Sequence, residues 1–340
     1  MNKKYLAGSL VACAAMTLLG CSPAPQSSSQ ETTSVAAQAE PNVDNFAEIY
    51  ASLNGDVLKQ HAKVLASDEF EGRLPTTIGE EKTLDYLISN FKQFGVEPGN
   101  GDSYLQEVAL MQITASPDAI LRIGEHEFAY KEDMVVSSKR EQTQINLTDS
   151  ELVFVGYGVN APEYDWNDYA GLDVSGKTVV ILVNDPGFEN PDSGKFQGET
   201  MTYYGRWSYK YEEASRQGAA GALIVHETAP ASYGWSVVAN SWSGPQYGLV
   251  SADQGASRVS VEGWLTLDAA QKVFASAGKD FAAEKAKALQ GPYHSALNVK
   301  ASTNSSSGTP YCRPTDTAMA KLFIIARKPA PSLCISIKIS

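Results

Sequence analysis

The 340-residue chain is acidic, with 39 Asp and Glu against 27 Lys and Arg and a formal net charge of −12. That charge argues against nucleic acid as a partner, because a phosphate backbone repels an acidic surface. A hydrophobic content of 43% is enough for sizeable cores, and the length allows two domains. Beyond residue 21 the only cysteines are Cys312 and Cys334. A disulfide between them is permitted in an oxidising compartment but is not required.

The first twenty residues have the pattern of an export signal. Two lysines precede an apolar run, Leu6–Gly20, which is shorter than the roughly 20 residues that a membrane-spanning helix needs. The run closes with Leu-Leu-Gly-Cys and resembles the bacterial lipobox, so we expect Cys21 to be lipidated. An ordinary signal peptide with an incidental cysteine is the alternative. Ser22 in place of Asp favours the outer membrane, facing the periplasm, as the place of anchoring.

Residues 21–43 are mainly Ser, Gln, Thr, Ala and Pro. Such a segment cannot bury enough surface to offset its ordering entropy, and we interpret it as a flexible tether. Short amphipathic helices are predicted within 44–66, where His61 lies in an apolar stripe and is expected to be packed rather than a ligand. A loop over 65–73 leads into a further helix that ends at Gly95.

Strands dominate the next part of the chain. One strand is predicted to begin at Ser103, and residues 108–150 have β character without sharp motifs. From 151 to 290 strands and helices alternate, which predicts an α/β domain. The predicted strands are Glu151–Gly158, Lys177–Asn184, Ala222–His226 and Val259–Val261, and the predicted helices are Arg206–Gln217 and Leu267–Ala277.

A glycine motif follows the first of these strands. Residues 156–161 fit the dinucleotide pattern G-x-G-x-x-A, which binds pyrophosphate only where a helix opens at the motif. Pro162 disfavours a helix there, and Glu163 and Asp165 would repel phosphate. We therefore predict no nucleotide site.

The polar residues give no catalytic constellation. None of the four histidines, His61, His126, His226 and His294, begins a His-x-Asp triplet, and a metal site needs several ligands that converge. The carboxylate pairs Glu80–Glu81 and Glu212–Glu213 fall in predicted helices and are interpreted as solvated helix surface. The chain has no Gly-x-Ser-x-Gly elbow. No catalytic or metal residue is assigned.

Two groups of segments together resemble metallopeptidase family 28, the co-catalytic zinc aminopeptidases, over about residues 44–304. The N-terminal group is Ala66–Arg73, Thr77–Glu80, Phe91, Gly95, Pro98, Ser103–Tyr104 and Gln106. The second group resembles the protease-associated domain inserted in bacterial members, and comprises 154–158, 161–164, 168–171, 184–187, 203–207, 210–214 and 218–226.

The resemblance implies an α/β fold in which a partial zinc-aminopeptidase (phosphorylase/hydrolase-like) domain is interrupted by a protease-associated α/β domain. The implied organisation is a signal peptide at 1–20, a tether at 21–43, a peptidase segment at 44–135, the protease-associated domain at 136–292, a return strand at 293–304 and an aberrant tail at 305–340. The helices before residue 94 are then expected to expose an apolar face, because most of the peptidase sheet would lie downstream.

In the family two zinc ions activate a water molecule and a Glu accepts its proton. The family's His-x-Asp motif, bridging Asp, Glu-Glu pair and last His find no match here, so no zinc or other cofactor is expected for this chain. Residues 305–340 carry a net charge of +4 against −16 for the preceding 304. We hypothesise that this tail is read out of frame; a divergent, disordered C-terminus is the alternative.

Two functions remain from the sequence. One is a zinc-dependent peptidase that is incompetent in this form. The other is a lipid-anchored, non-catalytic protein that binds peptides or proteins through the protease-associated domain. Structural packing is the alternative role for most of the aromatic candidates for peptide contact, which are Trp207, Tyr209, Tyr211, Trp235 and Trp242.

Overall fold

The computed structural model describes residues 46–142, 146–303, 318–323 and 325–326. The chain divides into two compact units, Met1–His61 and Ala62–Ser340. Cys21, the tether and most of the tail lie outside the described residues. None of the helices within the described ranges is long and apolar enough to cross a membrane.

The helices and strands alternate along most of the chain. The helices are α1 Phe46–Ser52, α2 Gly55–Leu65, α3 Ile78–Gln93, α4 Pro186–Glu189, α5 Trp207–Arg216, α6 Thr228–Ala231, α7 Trp235–Ser241, α8 Leu267–Ser276 and α9 Phe281–Gln290. The strands are β1 Glu97–Pro98, β2 Leu105–Thr114, β3 Ile120–Ile123, β4 His126–Ala129, β5 Met134–Ser137, β6 Leu147–Phe154, β7 Asn160–Ala161, β8 Trp166–Asn167, β9 Thr178–Leu182, β10 Gly221–Val225, β11 Pro245–Leu249, β12 Val261–Leu265, β13 Ser295–Thr303, β14 Ala318–Phe323 and β15 Ile325–Ala326.

An eight-stranded mixed sheet forms the centre of the fold, in the order β4-β3-β13-β6-β9-β10-β12-β5. Four adjacent strands of this sheet, β6, β9, β10 and β12, run parallel. All five residues of β9, β10 and β12 are buried, as expected for parallel strands with both faces covered. The α/β class is therefore confirmed by the sheet itself.

Alternate side chains of these strands belong to two hydrophobic cores, one on each face of the sheet. Val180 and Leu223 belong to the core that includes residues of α8 and α9. Val179 and Ile224 belong to the other, with Tyr211 of α5 and Val238 of α7. The period of two along each strand thus places helices on both faces of the sheet.

Smaller sheets complete the structure. β2 lies between β11 and β14, β7 pairs with β8, and β1 pairs with β15. Within the described residues, β11 is therefore the terminal strand of its sheet.

Most predicted elements are confirmed, with shifted ends. The strand predicted over 151–158 stops at Phe154, because Gly156 and Gly158 adopt positive φ and turn the chain. Helix α3 ends as predicted, with Gly95 at φ 72° and its amide bonded to the Lys92 carbonyl. The elements without a counterpart among the predictions are helices α4, α6, α7 and α9 and strands β1, β7, β8, β11, β14 and β15.

The large sheet crosses both predicted domain boundaries. β13 pairs with β3 on one side and β6 on the other, so segments 44–135, 136–292 and 293–304 all contribute strands. The predicted boundaries therefore do not coincide with an edge of this sheet, and the division into domains stays a prediction.

The expected exposed apolar face is present on α2, where Val57 and Leu58 are 49% and 64% exposed, but not on α3, whose Leu87, Ile88 and Phe91 are half-buried. Helix α2 has no buried residue. Helix α3 buries only Gly79 and Leu84, while Ile78 is 48% exposed.

Candidate functional site

A cleft of about 560 Å³ opens between strand β11 and the β5–β12 edge of the large sheet. Its lining includes Met111 and Ile113 from β2, the segment 246–249 of β11, and the loops on either side. We refer to it as the β11 cleft. Because β11 and β12 belong to different sheets, the cleft exists only once both sheets have formed.

The aromatic wall of the β11 cleft consists of Trp207 and Trp242, whose ring centroids lie 5.9 Å apart. Tyr211 stands behind them, 6.2 Å from Trp207 and 5.7 Å from Trp242. Trp207 and Tyr211 share one face of α5 because they are four residues apart. The Tyr211 hydroxyl donates to the Gly263 carbonyl at 2.8 Å, which fixes the wall to β12.

The floor of the cleft holds a buried carboxylate between two cations. Glu262 of β12 is 1% exposed, and Arg258 Nη2 bonds its Oε1 at 3.0 Å. Lys139 Nζ lies 3.9 Å from its other oxygen and 5.6 Å from the Trp207 ring centroid. Arg140 donates from Nε to the Arg258 carbonyl at 2.8 Å. Paired in this way, the buried carboxylate is compensated.

Two buried polar atoms of the lining have no hydrogen-bond partner among the described residues. They are Nε of Arg258, a donor, and Oε1 of Glu141, an acceptor. An unpaired buried group of this kind costs about 1–3 kcal/mol. The lining of the cleft therefore contains one unpaired hydrogen-bond donor and one unpaired acceptor.

The five aromatic residues proposed from the sequence as peptide contacts lie at different places in the structure. Trp207 and Trp242 line the β11 cleft, with Tyr211 fully buried behind them. Tyr209 is 4% exposed and its hydroxyl bonds the backbone of Asn160. Trp235 lies at a different cleft and donates to the Lys131 carbonyl at 2.7 Å. The two tyrosines thus present no surface to a peptide, and the three tryptophans do so at two places.

One interpretation from the sequence is wrong. Glu213 is not solvated helix surface: it is 4% exposed and bonds Arg216 Nη2 at 2.7 Å and Gln217 Nε2 at 2.7 Å. The face of α5 that carries Glu213 turns toward Tyr209 and Asn160, and sequence periodicity did not distinguish that face from the one carrying Glu212.

Two buried charged residues, Asp168 and Lys210, contact the turn at 155–158 and the residue that follows it. Asp168 accepts hydrogen bonds from Val159 N, Trp166 Nε1 and Tyr293 N at 2.9–3.0 Å, and burial raises its pKa to about 7. Lys210 donates to the Tyr157 carbonyl at 2.5 Å, and burial lowers its pKa to about 7. These residues hold the glycine turn onto helix α5.

The glycine motif is structural. After Gly158 the chain enters β7 and a 3-10 turn at Pro162–Tyr164, so the helix that a dinucleotide site requires does not open there. Lys210 reaches into this turn from α5, a contact that the motif did not indicate.

The part of the chain that the structure describes contains no group of side chains that could coordinate zinc. No three His, Cys, Asp or Glu side chains converge there as a metal site requires. His226 bonds the Tyr233 carbonyl through Nε2 at 3.0 Å. His294 bonds the Asp168 carbonyl through Nδ1 at 3.2 Å. No catalytic step through a metal is derived.

Sequence reasoning missed Lys139, Arg258 and Glu262 at the cleft floor. Their charges are ordinary in a soluble protein, and no local pattern marks them. The burial of Glu262 was the available signal: an acidic residue in the apolar strand Val261–Leu265 needs a compensating partner.

No protein-family model and no curated protein matches the chain. It is similar to the aminopeptidase from Aneurinibacillus sp. strain AM-1 (18% identity, TM-score 0.35, 75% of this chain and 44% of that chain). It is also similar to a zinc aminopeptidase from Bacillus subtilis, BSAP (12% identity, TM-score 0.28, 81% of this chain and 48% of that chain). The chain spans less than half the length of either enzyme.

Proposed function

We propose that this protein binds peptides without cleaving them, and that the peptide lies in the β11 cleft. The single observation that carries this proposal is the cleft of about 560 Å³ with an aromatic wall beside a terminal strand. Aromatic anchors in a concave site are the usual source of affinity for a peptide side chain.

The unpaired edge of strand β11 offers main-chain groups that can bind a peptide backbone. One side of Pro245–Leu249 pairs with β2, and its other side faces no strand within the described residues. An extended peptide can add to such an edge through main-chain hydrogen bonds. Leu249 is 73% exposed, as expected of an edge that meets a partner.

The unpaired atoms of the cleft also match a peptide. A peptide unit carries one N–H and one C=O, and the lining has one unpaired acceptor, Glu141 Oε1, and one unpaired donor, Arg258 Nε. Both atoms are buried, so a bound backbone reaches them only if the side chains of Glu141 and Arg258 turn toward the cleft.

The test uses the purified chain without its first twenty residues. The probe is a capped heptapeptide of alternating Thr and Val around a central Phe, titrated by calorimetry. We expect Trp207→Ala to weaken binding at least fivefold, since an anchoring aromatic contributes about 1–2 kcal/mol or more. Trp235→Ala, which alters a tryptophan outside the cleft, should leave the affinity unchanged. No binding, or equal loss in both folded variants, would show that the proposal is wrong.

A second candidate is peptide hydrolysis by a zinc aminopeptidase, which the sequence resemblance over residues 44–304 favours. Zinc content and hydrolysis of an aminoacyl-nitroanilide test it directly. Zinc with turnover supports this activity, whereas a folded protein with neither would contradict it.

We also propose that Cys21 carries a lipid anchor in the outer membrane, facing the periplasm. The support is the tetrad at 18–21 and Ser22. Cys21→Ser should abolish incorporation of labelled fatty acid and release the protein from the membrane fraction. A variant that still incorporates the label would refute the anchor at this residue.

A further inference from the structure

We propose that a peptide in the β11 cleft pairs with the main chain of Tyr247 and Leu249, and that its side chain opposite Gly248 enters the cleft. This inference rests on the proposed peptide binding. It makes Gly248 the position that determines which peptides fit, although glycine itself contributes no side chain to the site.

The direction of the main-chain groups of β11 follows from its pairing with β2. The Val250 amide donates to the Ala109 carbonyl at 3.4 Å, which continues the antiparallel register of the two strands by one residue. Along such a pair, residues that bond their partner alternate with residues whose N–H and C=O point the other way. Gly248 therefore bonds β2, while Tyr247 and Leu249 direct their main-chain groups away from it.

A proline at the start of the strand agrees with this alternation. Pro245 has no N–H, and a sheet tolerates proline where that N–H would face away from the neighbouring strand. Because Tyr247 and Leu249 follow Pro245 at intervals of two, all three direct their main-chain groups to the same side. Among the described residues, no strand pairs with β11 on that side. The N–H and C=O of Tyr247 and Leu249 are thus available to an extended peptide.

The side chains of β11 alternate between the cleft and the opposite face of the strand. Gln246 donates from Nε2 to the carbonyl of Ser241, a residue of the cleft lining, at 2.9 Å. Gly248 shares the face of Gln246, and its cross-strand partner Met111 also lines the cleft. Residues directly opposite each other on paired strands have their side chains on the same face. The peptide residue opposite Gly248 therefore directs its side chain into the cleft, and the residues on either side of it do not.

Gly248 leaves the space that this side chain needs. A Cβ on Gly248 would meet no atom within 4 Å, and its φ lies outside the left-handed region. Neither backbone strain nor packing within the described chain therefore requires glycine here. Glycine in a strand often marks a place where a ligand or another backbone approaches closely. Since Trp207 and Trp242 line the same cleft, the side chain that fits is a large apolar or aromatic one.

The first test measures amide exchange residue by residue, by NMR on the full purified chain. In the free protein the Gly248 amide should exchange at least tenfold more slowly than those of Tyr247 and Leu249, because only Gly248 is bonded to β2. Saturation with the capped heptapeptide around a central Phe should slow the Tyr247 and Leu249 amides at least tenfold. Equal exchange of the three amides in the free protein, or bound peptide that leaves these two amides fast, would overturn the inference.

The second test changes the size of residue 248. We expect Gly248→Val to reduce the preference for a central Phe over a central Ala in the heptapeptide at least fivefold in calorimetry, because only the larger side chain meets the added methyl groups. Gly234→Val is the matched control. Its Cβ also meets no atom within 4 Å, and it is not part of the cleft lining, so the preference should stay unchanged.

The two proposals fail in different ways. If the heptapeptide binds the unaltered chain but Gly248→Val keeps the same preference for Phe, the role of Gly248 is refuted and peptide binding stands. If the heptapeptide does not bind the unaltered chain, the proposed function is refuted and this inference with it.

Discussion

At the scale of single residues, the most constrained group is the buried Lys210. Its ammonium donates to the Tyr157 carbonyl in a turn whose glycines need positive φ, and it faces Asp168 and Asp185. Because burial lowers the pKa of Lys210 to about 7, folding disfavours its charged form. The folded chain then binds fewer protons than the unfolded chain between pH 7 and about 10.5, so stability from this residue rises with pH in that window.

We predict that Lys210→Met destabilises the protein by about 1–3 kcal/mol, since the Tyr157 carbonyl is left without its donor. The loss should be larger at pH 9.5 than at pH 7, because the variant lacks the gain with pH. Urea unfolding at both values measures it. Lys272→Met, an exposed change on α8, should shift stability by less than about 0.5 kcal/mol. A constant loss across this range would contradict the assigned pKa direction.

At the scale of elements, the start of helix α3 depends on close packing. Thr77 caps the helix by accepting from the Gly79 amide at 3.2 Å. A Cβ on Gly79 would overlap the Phe70 carbonyl oxygen and lie 3.2 Å from the Arg73 amide. The 3-10 turn Asp68–Arg73 therefore fits against the helix only because residue 79 has no side chain.

Gly79→Ala should destabilise this helix by about 1–3 kcal/mol through overpacking, despite the better helix propensity of alanine. Gly55→Ala is the matched control: nothing lies within 4 Å of its Cβ, so the change should be neutral or stabilising by up to about 1 kcal/mol. Thermal unfolding and amide exchange over residues 70–90 measure both. A variant at Gly79 as stable as the unaltered chain would exclude the close packing.

At the scale of the whole molecule, buried apolar side chains concentrate between residues 119 and 301. The helices before residue 94 contribute Phe70 and Leu84 to the buried set. The free energy of local unfolding increases with the number of buried contacts. We therefore expect it to differ between the N-terminal helices and the large sheet.

We predict that hydrogen exchange is slowest in β9, β10 and β12 and fast across residues 46–94. Limited proteolysis should cut the N-terminal part first and leave a folded fragment that includes residues 119–303. Uniform protection from 46 to 290 would show that the helices are held as firmly as the sheet.

The sequence by itself determined the α/β class and most of the parallel strands. Runs such as Val179–Val183 are apolar throughout, which is typical of a strand covered on both faces. It also determined the ends of α3 and α5, since the glycines at 95 and 218 terminate helices through local backbone freedom.

Only the tertiary structure decided which faces meet. It placed β13 between β3 and β6 and buried Glu213 while leaving Glu212 only half-buried. It also assigned Trp207 and Trp242 to one cleft and Trp235 to another. These outcomes depend on contacts between residues far apart in the chain. A local pattern fixes the period of an element, but its partners are chosen by the packing of all the elements together.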